Sequence, residues 1–308
     1  MTMMQRSFKM FVVGGVFALQ AVVAPCVAQE LSPRAYWPAP EGTRAAVIGY
    51  AHSSGDVVTD PSLPVTGVDS SLHQLLLAYF HTTSLFGRTS NIVLELPYVR
   101  GTTEGLVEGE PATRRLSSFG DIGITLGINL IGAPAMSVAE FQALRQKPSP
   151  ILGASLKVIL PSGAYEADRL INVGGNRWAV KAELGYIHPL TDDWHLEIEA
   201  GSWFFGDNDD FLGATRQQDP VFASELHLIR RFPRGRWISL QANYFTGGRS
   251  TVDGIGNDDL QRNSNLGATL LWPTRRGQAL KFGFSIGAVT RSGGDYRTLL
   301  VSYIAELP

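Results

Sequence analysis

Period-two alternation dominates this chain. Over residues 121–130 every even position is a large aliphatic and every odd one is small or polar, the mark of a strand with one oily and one polar face. Residues 91–99 repeat it, with Ile92, Leu94, Leu96 and Tyr98 against Asn91, Val93, Glu95 and Pro97. In 178–188, Trp178, Val180, Ala182, Leu184 and Tyr186 oppose Ala179, Lys181, Glu183 and Gly185. In 194–204, Leu196, Ile198 and Ala200 oppose His195, Glu197, Glu199 and Gly201. Strands are also expected over 44–53, 72–81, 151–160, 222–230, 237–246, 264–272, 280–290 and 296–305. Together these make about twelve strands, each close to the roughly 9 to 11 residues a tilted strand needs to cross a bilayer.

The connections separate a membrane barrel from a soluble sandwich. If the first strand leaves the periplasm, the outer connections are 54–70, 101–119, 161–177, 206–220, 247–263 and the short 291–295. The inner ones are 82–90, 131–150, 189–193, 231–236 and 273–279, mostly tight and rich in Pro, Gly, Asp and Arg. Long loops at one end and short turns at the other are the outer-membrane pattern. The connection 131–150 is the exception: Ser137-Val138-Ala139-Glu140 is a capping box followed by Phe141, Ala143 and Leu144, and predicts a short helix. Aromatics such as Tyr50, Trp178, Trp194, Trp237, Tyr244 and Trp272 fall near strand ends or on the oily face, where interface belts lie. The expected fold is all-β: a transmembrane antiparallel β-barrel of about 12 strands with one short periplasmic helix.

Composition agrees with this reading. Charged residues are 18% of the 308, below the roughly 25% of soluble domains. A formal net charge of −2 gives no footprint for nucleic acid. Residues 1–28 read as a cleaved secretory leader: Arg6 and Lys9, an apolar run over 10–23, then Cys26-Val27-Ala28. Its removal takes two of 26 basic residues and none of 28 acidic ones, moving the formal charge from −2 to −4. The single cysteine, Cys26, leaves with it, so burial and backbone pairing must hold the mature chain. Residues 29–43 form an N-terminal periplasmic segment or partial plug, with Tyr36 and Trp37 as the plug candidates, and 44–308 form the barrel.

If large aliphatics face lipid, Glu95, Lys157, Lys181, Glu183, Glu197, Glu199, Glu225, His227 and Lys281 face the interior, with Gln241 and Asn243. Ionisable groups there must be hydrated or paired. Two readings stay open: a pore lining that disfavours anions, and mutually paired ladders bracing a filled barrel.

Several short motifs resemble one family in their order and spacing. They are the stretch 31–43, Glu95-Leu-Pro-Tyr98, Gly120-Asp-Ile-Gly123, the stretch 157–163 with its Leu-Pro-Ser-Gly, Gly206-Asp-Asn-Asp-Asp210 and Thr290-Arg-Ser-Gly-Gly294. The chain resembles the outer-membrane transporters named for the meta-pathway of phenol degradation, over nearly all of its mature length. The resemblance implies an outer-membrane barrel passing aromatic or other small hydrophobic compounds, with no catalytic residues to carry over. One departure is the end, Ala305-Glu306-Leu307-Pro308, where many bacterial barrels end in an aromatic.

Sharper chemistries find less support. His52-Ser53-Ser54-Gly55-Asp56 places hydrolase residue types together, but neighbours on an extended chain point to opposite faces, and no Gly-x-Ser-x-Gly elbow is present. The acidic run 207–210 fails the calcium-loop spacing because Phe211 stands where a ligand belongs. No cofactor and no metal site are expected. The expected function is passive passage of a small, hydrophobic or aromatic solute through the outer membrane. The alternatives are a structural or partner-binding barrel acting through its long loops and, third, an outer-membrane hydrolase. The expected partners are outer-membrane lipid and lipopolysaccharide, the barrel assembly machinery and the solute.

Overall fold

The computed structural model of the chain describes residues 33–58, 65–107 and 109–308, so the expected leader lies outside the described residues. The strands in chain order are β1 (Arg44–Val58), β2 (Val65–Leu85), β3 (Arg88–Val107), β4 (Glu110–Phe119) and β5 (Gly123–Ile131). Helix α1 (Val138–Gln146) follows, then β6 (Ile151–Ile159), β7 (Ala179–Pro189), β8 (Trp194–Phe205), β9 (Asn208–Phe211) and β10 (Ala214–Gln218). The chain continues through β11 (Val221–Arg231), β12 (Trp237–Gly247), β13 (Ser250–Val252), β14 (Ile255–Gly256), β15 (Gln261–Arg275), β16 (Gln278–Val289) and β17 (Gly293–Leu307).

Thirteen of these strands form one sheet, and β4 and β5 are two halves of a single interrupted stave: residues 90–95 of β3 pair with β5 and residues 98–107 pair with β4. The result is a twelve-stave antiparallel barrel with every expected strand present. It closes where β17 pairs with β1 from Arg44↔Leu307 to Val58↔Gly293. Closure removes the unpaired edges that lipid could not satisfy.

The alternation runs inside-out relative to a soluble protein. Leu184, Leu240 and Leu299 are 55%, 60% and 61% exposed, while Lys157, Lys181 and Glu225 are 2–3% exposed. A surface of this kind suits hydrocarbon, where aliphatics cost nothing and backbone groups must pair among themselves. Tyr50, Trp178, Trp194, Tyr244 and Trp272 lie on it as expected. Trp237 does not: the oily face of β12 is carried by Ile238 and Leu240, so Trp237 points inward and is buried.

Helix α1 forms as its capping box predicts. Ser137 backbone N–H donates to Glu140 Oε2 at 2.7 Å, and Glu140 N–H donates to Ser137 Oγ at 3.4 Å. At the same end of the barrel, Phe86 and Gly87 take positive φ (54° and 71°), the geometry of a two-residue hairpin turn matching strand twist.

The long connections are more ordered than loops. Residues 101–119 continue β3 and form β4, and the connections 206–220 and 247–263 carry β9, β10, β13 and β14, which make a separate four-stranded sheet. Oily alternation ends where lipid ends, but the hydrogen-bond ladder runs on into water. The connection 160–178 forms no strand and turns inward. The stave break at residues 120–122 lets the Asp121 carboxylate accept N–H bonds from Ser162, Gly163 and Gly175 at 3.0, 2.7 and 2.7 Å, which draws this connection to the barrel mouth.

Candidate functional site

The barrel interior is layered. At the short-turn end, Ala45, Val47, Ile229, Trp237, Leu271, Ala279 and Ile304 pack around Ala39 of the N-terminal segment. At the long-loop end, Ile159, Ala179, Trp203, Val221, Ala223 and Phe245 form a second apolar layer, and Val173 from the inward connection joins Leu72, Val99 and Leu116. Between them lies a belt of ionisable and amide side chains, because the inward positions at mid-strand are those that carry charge in the sequence.

All eleven interior candidates are buried: Glu95, Lys157, Lys181, Glu183, Glu197, Glu199, Glu225, His227, Gln241, Asn243 and Lys281. They form connected groups rather than isolated charges. Lys157 Nζ pairs with Glu95 Oε2 at 2.8 Å. Lys181 pairs with Glu183 on its own strand and, across β8, reaches Glu225 Oε1 at 3.4 Å. Glu225 stands directly opposite Glu199, and His227 directly opposite Glu197.

The N-terminal segment enters this belt. The Tyr36 hydroxyl donates to Glu183 Oε1 at 3.0 Å and lies 2.9 Å from Ser155 Oγ. Arg34 N–H donates to Glu197 Oε2 at 2.6 Å. Trp37 meets His195 edge to face at a centroid distance of 5.2 Å, and the Arg34 guanidinium lies 4.4 Å from the Trp37 centroid. Tyr36 and Trp37 also pack with Ala133, Met136 and Phe141, so α1 braces the segment from outside.

Two glycines make room for the Tyr36 ring. Gly153 of β6 and Gly185 of β7 are register partners, and a Cβ on either would stand 2.1 Å from a ring carbon. Arg34, Ser155, His195 and these glycines were not among the sequence-derived candidates. A glycine in mid-strand signals close approach of another group, but what approaches is fixed only by tertiary structure.

At the long-loop end, the connection 160–178 is held by Asn172, which donates to the Glu166 and Arg169 carbonyls and accepts from Glu166 N–H, each at 2.9 Å. Arg114 Nη2 pairs with Glu166 Oε1 at 2.8 Å, and that bond holds the Glu166 carboxyl below its usual value of 4.5. Arg177 lies over Phe205, 4.5 Å from its centroid, and donates to Gln218; burial holds its guanidinium down to about 10. A small cavity beside the N-terminal segment, about 60 Å³, is lined by Tyr36, Trp37, Phe80, Val93, Glu95 and Asn129 among others.

His52 and Ser53 stay apart. The His52 ring stacks on His73 at 4.6 Å, while Ser53 Oγ lies 2.9 Å from Thr298 Oγ1.

A model of the family described as "Putative MetA-pathway of phenol degradation" matches residues 14–299. Among solved structures, the COG4313 outer membrane channel from Pseudomonas putida F1 aligns with a TM-score of 0.78 at 23% identity, over 90% of this chain and 100% of that one. The transport unit of the autotransporter AIDA-I from Escherichia coli aligns with a TM-score of 0.51 at 9% identity, over 93% and 95%. A search of the curated proteins finds no match.

Proposed function

The chain belongs to the MetA-pathway of phenol degradation family, and we propose that it is a passive outer-membrane channel for small hydrophobic or aromatic solutes. The carrying observation is the inside-out barrel: an apolar outer wall around an interior that two pieces of chain outside the staves enter, one from each end. One is the segment 33–43 at the short-turn end; the other is the connection 160–178 at the opposite mouth. Neither is a stave, so either can shift without breaking the ladder. In this reading Tyr36 and Trp37 act as a plug, and Glu95, Lys157, Lys181, Glu183 and their neighbours line the path exposed when the plug moves. The likeness of its fold to that of the COG4313 outer membrane channel supports it.

Aromatic side chains and guanidinium faces at both ends favour aromatic solutes: Trp37 with Arg34 at one end, Phe205 with Arg177 at the other. As passive passage, transport in this reading runs down a gradient. His52 and Ser53, the residues that suggested a hydrolase, engage different neighbours.

The test is permeation into liposomes containing the purified full chain. Uptake of small aromatic solutes above protein-free vesicles is expected. Uptake no faster than in protein-free vesicles, for all such solutes, overturns the channel reading.

A further inference from the structure

The belt holds one group of side chains that plugging does not explain. Glu199 on β8 with Glu225 and His227 on β11 offer three ligand atoms that all lie within 4.8 Å of one another, and all three residues are buried. We infer that this trio binds a divalent transition-metal ion of the zinc class in the barrel interior.

Three observations carry it. First, His227 is fully buried (0% exposed), yet neither ring nitrogen makes a hydrogen bond. A buried imidazole with no hydrogen bond is costly unless something occupies its lone pair. Its Nε2 faces Glu225 Oε2 at 3.6 Å, too far for a hydrogen bond and wide enough for an ion to stand between after a small adjustment. Second, the Glu225 carboxylate is divided. Oε1 is engaged by Lys181 at 3.4 Å, while Oε2, the atom turned to His227, is buried with no hydrogen bond. Lys181 thus orients Glu225 from behind and leaves its other oxygen free, as supporting groups around metal ligands do. Third, Glu199 and Glu225 are direct cross-strand partners, a like-charged pairing for which Lys181, shared with Glu183, supplies a single positive charge.

The donor chemistry selects the ion. Two carboxylates and one neutral imidazole carry charge −2, which a divalent ion cancels. Imidazole suits zinc, copper, iron or nickel, whereas calcium and magnesium prefer shells built from oxygen. Three protein ligands leave a further position for water facing the lumen. The ion would clamp β8 to β11 beside Lys181, whose partner Glu183 accepts from the Tyr36 hydroxyl, and so couple metal loading to the seating of the N-terminal segment.

The test uses the full-length protein in detergent, without an affinity tag, stripped by chelator and titrated with Co²⁺ as a spectroscopic substitute for Zn²⁺. One Co²⁺ per chain with visible absorption, displaced by Zn²⁺, is expected. His227→Gln and Glu199→Gln should each weaken binding at least about tenfold, while His52→Gln leaves it unchanged. X-ray absorption at the zinc edge needs no variant and should show one imidazole among oxygen ligands. No stoichiometric binding by the wild type, unchanged binding in folded His227→Gln or Glu199→Gln, or a zinc shell lacking imidazole would each overturn the site.

Discussion

The close fit between Tyr36 and the two facing glycines gives the most direct handle on gating. Adding a Cβ at Gly185 places it 2.1 Å from Cδ2 and Cε2 of Tyr36, against an ordinary carbon contact of roughly 3.5–4.0 Å. Gly153 crowds the opposite ring edge, with Cδ1 at the same 2.1 Å. Both glycines sit in a continuous β6–β7 ladder that cannot retreat, so the ring must leave. Leaving forfeits the hydroxyl's bond to the Glu183 carboxylate and its contact with Ser155, together about 3 kcal/mol, which moves the seated population roughly a hundredfold. Gly185→Ala should therefore raise single-channel conductance in planar bilayers and speed solute uptake into liposomes, and Tyr36→Ala should do the same. Gly127→Ala is the control, since its Cβ meets nothing nearer than Ala154 O at 4.0 Å. A folded Gly185→Ala protein with the conductance of the wild type would refute both the crowding argument and the plug.

Other consequences are equally accessible. Leu126→Arg, on the lipid face, should cost roughly 2–4 kcal/mol near the bilayer midplane and block heat-modifiable assembly, whereas Leu126→Phe should assemble normally. Lys157→Met leaves the buried Glu95 short of its 2.8 Å partner and should cost about 3–5 kcal/mol in denaturant unfolding, much of it recovered in Lys157→Met/Glu95→Leu. Ser137→Ala removes the N-cap of α1 and should cost about 1 kcal/mol, read as faster amide exchange across 138–146. The Arg114–Glu166 pair has a pH signature: because the folded carboxyl titrates below 4.5, its contribution is full above that value and fades as pH falls through the lowered one. Exchange in the connection 160–178 should rise over that acid window, and Arg114→Ala should abolish the dependence.

The wall of this barrel was legible because one physical rule writes it. Lipid demands aliphatics on one face of every stave, and residues 121–130 or 178–188 spell that demand out position by position. The same rule hides what happens beyond the bilayer. Residues 101–119 read as a loop because Thr102, Thr103, Arg114 and Arg115 obey no oily alternation, yet they extend the ladder in water, where only backbone pairing is required. Trp237 was misplaced for a related reason. A tryptophan at a strand end suits an interface belt or an interior equally, and only the parity set by Ile238 and Leu240 decides.

The interior was half legible. Parity names the inward side chains but not their partners, since the Lys181–Glu225 contact spans two strands that the sequence separates by 44 residues. The segment 33–43 shows the limit most clearly. Its Pro, Tyr and Trp content gives no periodicity, so nothing local says whether it lies in water or fills the barrel. The answer is written elsewhere, in Gly153 and Gly185, which give up side-chain packing at the middle of two staves. Mid-strand glycines weaken a ladder, and a facing pair of them inside a narrow barrel is hard to account for unless a bulky group occupies the space. Registered interior glycines, rather than the composition of the segment itself, are thus the sequence signal that locates an inserted segment. Locating it requires the β6–β7 register first.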